Sequence, residues 1–172
     1  MSAASHNFTT YPYKTVGDLK IELDVYTPAK PAPESGYPVL FTIHGGGYIQ
    51  GTKDGGLTSQ ERIEALNRGW VIVSIDYRLT PGAVLQEIVP DVQDAYAWVC
   101  TELVKKTPIN PNLIAVLENL QVPASLLSVA TNYPLVLPLS LDSIQVSLIG
   151  LILWFIIPKL QLIQGLWPLQ IS

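Results

Sequence analysis

Leu19, Ile21, Leu23 and Val25 alternate with Lys20, Glu22 and Asp24, the period-two pattern of a strand with one buried face. Tyr13–Val16 precedes this strand across Gly17-Asp18, so the two segments are expected to pair as a hairpin. Residues 1–10 are polar and read as a loose arm. Past a loop marked by Pro28, Pro31, Pro33 and Ser35-Gly36, alternation gives way to the continuous run Val39-Leu40-Phe41-Thr42-Ile43, the pattern of a strand covered on both faces. Thr58 and Glu61 then stand at capping-box spacing and predict a helix to Arg68, with Ile63 and Leu66 inward and Gly69 as its stop. Trp70–Ile75 is a second continuous apolar run, broken only by Ser74. Asp91 is expected to open a second helix, because Val92, Ala95, Tyr96, Val99 and Leu103 recur at helical spacing. Asp91 and Asp94 suit its positive end, Lys105 and Lys106 its negative end, and Pro108 and Pro111 terminate it. Leu113–Val116 follows as a short strand. Strands alternating with helices in this order predict an α/β fold, a mostly parallel sheet with an antiparallel N-terminal hairpin. Ligands in such sheets sit at the carboxyl ends of the strands.

Composition changes this picture in one place. The chain of 172 residues holds 10 Lys/Arg and 14 Asp/Glu, yet after residue 116 only Glu118, Asp142 and Lys159 are charged. The net charge of −4, with no basic cluster, argues against nucleic acid as a partner. Cys100 is the single cysteine, so no internal disulfide forms, and a reducing, cytoplasmic setting is expected. The first residues lack the basic and apolar regions of a secretory signal.

The candidate chemistry begins at His44-Gly45-Gly46-Gly47, directly after the Val39–Ile43 run. Glycines tolerate positive φ and let backbone N–H groups approach a ligand closely. Asp76-Tyr77-Arg78-Leu79-Thr80-Pro81 follows the next strand, and Pro90-Asp91-Val92-Gln93-Asp94-Ala95-Tyr96 stands at the start of the expected second helix. In this order the three segments resemble the α/β-hydrolases of the hormone-sensitive-lipase-like esterase and lipase group, over residues 11–116. The resemblance implies a carboxylic ester hydrolase acting on a small-molecule ester, with no cofactor and no metal. It places the oxyanion hole at Gly45, Gly46 and Gly47, with the N–H groups of Gly46 and Gly47 as donors and Gly45 shaping the loop. It makes His44 an orienter of that loop and not the catalytic base. Asp76 and Arg78 form a structural motif, read here as an ion pair bracing the loop after the strand. Tyr48 either lines the acyl or alcohol pocket or packs as an ordinary aromatic.

The same chemistry needs a serine on a G-x-S-x-G turn after the following strand, then an acid and a histidine. Leu117-Glu118-Asn119-Leu120-Gln121-Val122 stands at that place, and G-x-S-x-G occurs nowhere in the sequence. The only histidines are His6 and His44, and Ser125 and Ser128 have neither flanking glycines nor a base. No catalytic residue is assigned, and the expected fold is a truncated α/β-hydrolase spanning residues 11–116. The genetic code offers a reason. Leu117 to Val122 can be written TTG GAG AAT CTG CAG GTG, which from one base earlier reads xTT GGA GAA TCT GCA GGT, or x-G-E-S-A-G.

Residues 117–172 are therefore read as an atypical apolar tail, out of frame and interrupted by Pro123, Pro134, Pro138, Pro158 and Pro168. Membrane association through Val146–Ile157 is weighed and not favoured, since that run is shorter than the ~18–20 residues a spanning helix needs. A divergent buried core is the third reading of the tail. The rival to the hydrolase as a whole is a non-catalytic, membrane-associated or partner-binding protein that reuses the half-sheet and the tail.

Overall fold

The computed structural model describes residues 8–118. The expectations for residues 1–7 and 119–172, including Ser125, Ser128 and the Val146–Ile157 run, lie outside the described residues. The described elements are β1 (Phe8–Val16), β2 (Leu19–Tyr26), β3 (Tyr37–Ile43), α1 (Ser59–Asn67), β4 (Val71–Ile75), α2 (Leu85–Thr101) and β5 (Ile109–Glu118), with short 3-10 turns at Lys53–Gly55 and Leu103–Lys105. The strands make one mixed sheet in the order β1-β2-β4-β3-β5. β1 and β2 are the expected antiparallel hairpin, with Gly17 at φ 58 in its turn. β2 also runs antiparallel to β4, whereas β3 is parallel to both β4 and β5.

Register sorts the side chains onto two faces. Leu23 and Val25 align with Ile75 and Val73, which align in turn with Ile43 and Phe41 on β3. Together with Val39, Ile114 and Val116 they form one apolar layer, covered by Ile88, Val92, Ala95 and Val99 of α2 and by Leu103 just beyond it. The other face carries Tyr26, Ile72, Leu40 and Ala115, then a polar row of Asp24, Ser74 and Thr42. Ala65 and Leu66 of α1 are buried, and Arg62 of the same helix lies 4.6 Å over the Tyr26 ring. Helices thus cover both faces of the sheet, as parallel strands require.

Five local expectations need correction. β1 begins at Phe8, inside the segment read as an arm. Ile63 is exposed, and the adjacent Ala65 is buried beside Leu66. α2 begins at Leu85, not Asp91, and runs through Pro90. Glu87 makes that early start possible: its carboxylate accepts the N–H of Val84 at 3.0 Å and satisfies a donor at the helix entry. Pro90 forgoes only one helical hydrogen bond, near the start. The helix also ends at Thr101, so Lys105 and Lys106 lie beyond it and do not complement its dipole. Finally, β5 continues through Leu117 and Glu118, two residues into the segment read as tail, because Leu117 pairs with Thr42 and Glu118 with Ile43.

Candidate active-site loop

The carboxyl ends of β3, β4 and β5 fall level: Ile43 aligns with Ile75 on one side and with Glu118 on the other. His44 and Asp76 therefore leave the sheet side by side. The segment from His44 to Thr58 leads from β3 to the N-cap of α1 and holds the three glycines at its start.

Gly46 has φ 118 and Gly47 φ 62, conformations that side-chain-bearing residues rarely adopt. A Cβ on Gly46 would overlap the carbonyl of Gln50, so the requirement for glycine is steric as well as conformational. The Gly46 carbonyl turns inward and accepts the N–H groups of Ile49 at 3.1 Å and Gln50 at 3.3 Å. No acceptor among the described residues takes the N–H of Gly46 or of Gly47. Such a pair of free, preorganised donors at the carboxyl end of a strand can stabilise a developing oxyanion. Tyr48 follows at φ 65, partly buried against the core, with its ring edge-on to Tyr77 at 6.4 Å.

His44 is 1% exposed and stacks on Tyr77 at 4.2 Å and 7°. The Tyr77 hydroxyl donates to the His44 carbonyl at 2.9 Å. Nδ1 of His44 lies 2.8 Å from the Gly45 carbonyl, which can only accept, so Nδ1 carries the proton. Nε2 is buried with no partner among the described residues. The imidazole thus reaches back to the first glycine of its own loop.

Asp76 and Arg78 are close in sequence but do not pair with each other, contrary to expectation. Asp76 accepts the backbone N–H of Lys53 at 2.7 Å and its ammonium at 3.3 Å. Arg78 points to α2, where Nε and Nη2 meet the two carboxylate oxygens of Asp91 at 2.8 and 3.0 Å. Each side chain instead follows a partner on a different element: Lys53 in the loop after β3 for Asp76, and Asp91 in α2 for Arg78. Lys14 of β1 adds a third cationic contact to Asp91 at 2.8 Å. Burial alone would push the Asp91 carboxyl up, but hydrogen bonds from Arg78 and Lys14 outweigh it and hold Asp91 below its ordinary range. Lys53 shows the mirror-image balance: burial would lower its ammonium, while Asp76, Asp24 and Glu22 raise it.

Several contributors to this loop escaped the sequence reading. Ser74 donates to the Lys53 carbonyl, Thr80 donates its N–H and hydroxyl to the Tyr48 carbonyl at 2.7 and 3.0 Å, and Gly51 (φ 112) lies against His44. A Cβ on Gly51 would overlap His44 Nδ1 and the Gly45 carbonyl. Only Gly51 had a local signal, as a fourth glycine shortly after the first three. The sheet register that brings Ser74 and Thr80 to residues 48–53 is not visible in any one segment.

Residues 23–118, more than half of the chain, match the BD-FAE family. Among solved structures, Thermogutta terrifontis esterase 2 phosphoramylated by tabun superposes with a TM-score of 0.57 at 22% identity, over 65% of this chain and 42% of that one. The butyrate-bound form of the same esterase gives 0.57 at 21%, over 68% and 41%. Curated relatives include the non-reducing polyketide synthase Preu6 of Preussia isomera, 34% identical over 100 residues. The 5-methylorsellinic acid synthase of Aspergillus terreus is 38% identical over 109 residues. These alignments cover 58% and 60% of this chain and 4% of either synthase, so the chain spans a small part of those relatives' length. Family match, strand order and superposition agree: the chain belongs to the BD-FAE family of α/β-hydrolase-type esterases, and its described residues supply five strands and two helices of that fold.

Proposed function

We propose that residues 8–118 form the oxyanion-binding side of a carboxylic ester hydrolase, and that this chain as it stands does not hydrolyse esters. The observation that carries the first half is the pair of N–H groups on Gly46 and Gly47, held at positive φ where β3 ends and without an acceptor among the described residues. Each such donor is worth about 10²–10³ in kcat where a nucleophile is present. The second half rests on the sequence, which holds no G-x-S-x-G and no histidine besides His6 and His44. His44 cannot serve as the base, because its protonated Nδ1 is committed to Gly45 and its ring is enclosed. The small-molecule ester is the substrate of the complete chemistry, with a serine supplied by the neighbouring reading frame after Glu118.

Sequencing the coding DNA across codons 113–125 tests this directly. A neighbouring frame that reads glycine-x-serine-x-glycine and stays open to a later acid and histidine is expected; an early stop in that frame overturns it. The present chain should release p-nitrophenol from short-chain esters no faster than a protein blank. A burst stoichiometric with protein, or covalent labelling by a fluorophosphonate, would show a nucleophile in this chain and refute the second half.

A further inference from the structure

We infer that Asp76 is a positioning residue for the oxyanion loop: through Lys53 and Gly51 it sets the pose of His44, and through His44 the carbonyl of Gly45. The inference rests on the oxyanion reading above, but its geometry can be tested without catalysis. The loop is anchored on β4 and the residues just after it. Ser74 binds the Lys53 carbonyl, Asp76 binds the Lys53 N–H and ammonium, Tyr77 stacks on His44, and Thr80 holds Tyr48. The Asp76 contact differs from the others in kind. One carboxylate grips a backbone N–H and a side-chain cation of the same residue, so it fixes both the position and the direction of the chain at Lys53.

Lys53 lies two residues beyond Gly51, and Gly51 is seated so closely on the imidazole that a single added carbon would overlap it. A shift at Lys53 therefore reaches His44 with little slack. His44 in turn donates from Nδ1 to Gly45, the residue before the two free donors. The chain of contact runs Asp76, Lys53, Gly51, His44, Gly45. On this account the aspartate after β4 braces the loop after β3, and not its own loop.

The imidazole supplies the readout, because its ¹⁵N shifts report which nitrogen carries the proton and whether that bond is intact. In the unmodified chain, His44 should show a protonated Nδ1 and an unprotonated Nε2, with His6→Ala used to assign it. Asp76→Ala should shift or exchange-broaden the His44 nitrogens and the Gly45–Gly47 amides. It should also raise Lys53 amide exchange by about tenfold or more, the loss of a charge-assisted bond. Lys53→Met keeps the backbone bond to Asp76 but loses the ammonium contact, and should move the His44 nitrogens less than Asp76→Ala does. Leu103→Ala, a remote and fully buried truncation, controls for loss of global stability and should lower Tm without moving them. Where Asp76→Ala does not fold, Gly51→Ala carries the test, since its Cβ would overlap Nδ1 of the same ring at the last link of the route from Asp76 to His44. Unchanged His44 nitrogens in Asp76→Ala or in Gly51→Ala, or an equal response in Leu103→Ala, would overturn the inference. An esterase reading that failed would leave these nitrogen shifts as they are.

Discussion

Replacing Asp91 by alanine should be among the most damaging single changes available in this fold. Its carboxylate is 0% exposed and takes four donors: Arg78 Nε at 2.8 Å, Arg78 Nη2 at 3.0 Å, the Arg78 backbone N–H at 3.2 Å and Lys14 Nζ at 2.8 Å. Three elements meet there, since Lys14 belongs to β1, Arg78 follows β4 and Asp91 lies in α2. Breaking a buried pair by removing one partner costs about 3–5 kcal/mol, mostly because the surviving charge is left uncompensated. Arg78 and Lys14 keep 14% and 21% side-chain exposure and other carboxylates nearby in Glu87 and Asp94, which places the cost at the lower end, about 3 kcal/mol. For a unit of this size each kcal/mol moves Tm by roughly 4 °C, so a fall of roughly 12 °C is expected. Differential scanning calorimetry of the chain and of Asp91→Ala measures it, with the exposed pair Glu64–Arg68 as reference because surface pairs contribute only ~0–1 kcal/mol. A Tm within about 3 °C of the parent would mean that the network adds little net stability, and the reasoning from burial would fail.

The same carboxylate predicts an acid limb. Its folded-state pKa is depressed, so its contribution is present above the ordinary value of 3.8 and is lost as pH falls below that value through the folded one; urea midpoints at stepped pH should drop there and flatten in Asp91→Asn. Asp24 acts with the opposite sign. Burial raises its carboxyl, so its contribution is present at low pH and lost as pH rises above 3.8, and Asp24→Asn should steepen the acid limb. At α1, Thr58→Ala removes the acceptor for the Glu61 N–H and should cost about 1 kcal/mol by chemical denaturation, while Thr58→Ser should be nearly neutral.

Local signals carried much of this structure. The Thr58–Glu61 capping box forms as the spacing implied, and Gly69 ends α1 at φ 87. The apolar runs at β3 and β4 could be placed because strands covered on both faces need no alternation. The start of α2 was hidden because Pro90 reads as a boundary, while the compensating bond from Glu87 involves no standard capping residue. Within the site, His44 and the glycines were legible from their order in the chain. The partners of Asp76 and Arg78 were not, because both depend on which elements the sheet order brings alongside: the loop after β3 for one and α2 for the other. Proximity in sequence suggested a pair where each side chain has a charged partner on a different element.

The position of β4 between β2 and β3 has a consequence for how the chain assembles. Leu23 pairs with Ile75 and Val39 with Val71, so neither the hairpin nor β3 has its inner neighbour until β4 has been made. β3 then waits for Ile114 to complete its other edge. Loop closure must therefore precede the contacts that reward it, which slows folding relative to a fold built from adjacent pairs. On a ribosome, the hairpin can form at once, but the apolar segment Val39–Ile43 emerges with both edges open and stays so through the synthesis of α1. The arrival of residues 71–75 ends that interval on one edge, making β4 the strand that joins the hairpin to β3 and leaving the other edge to β5.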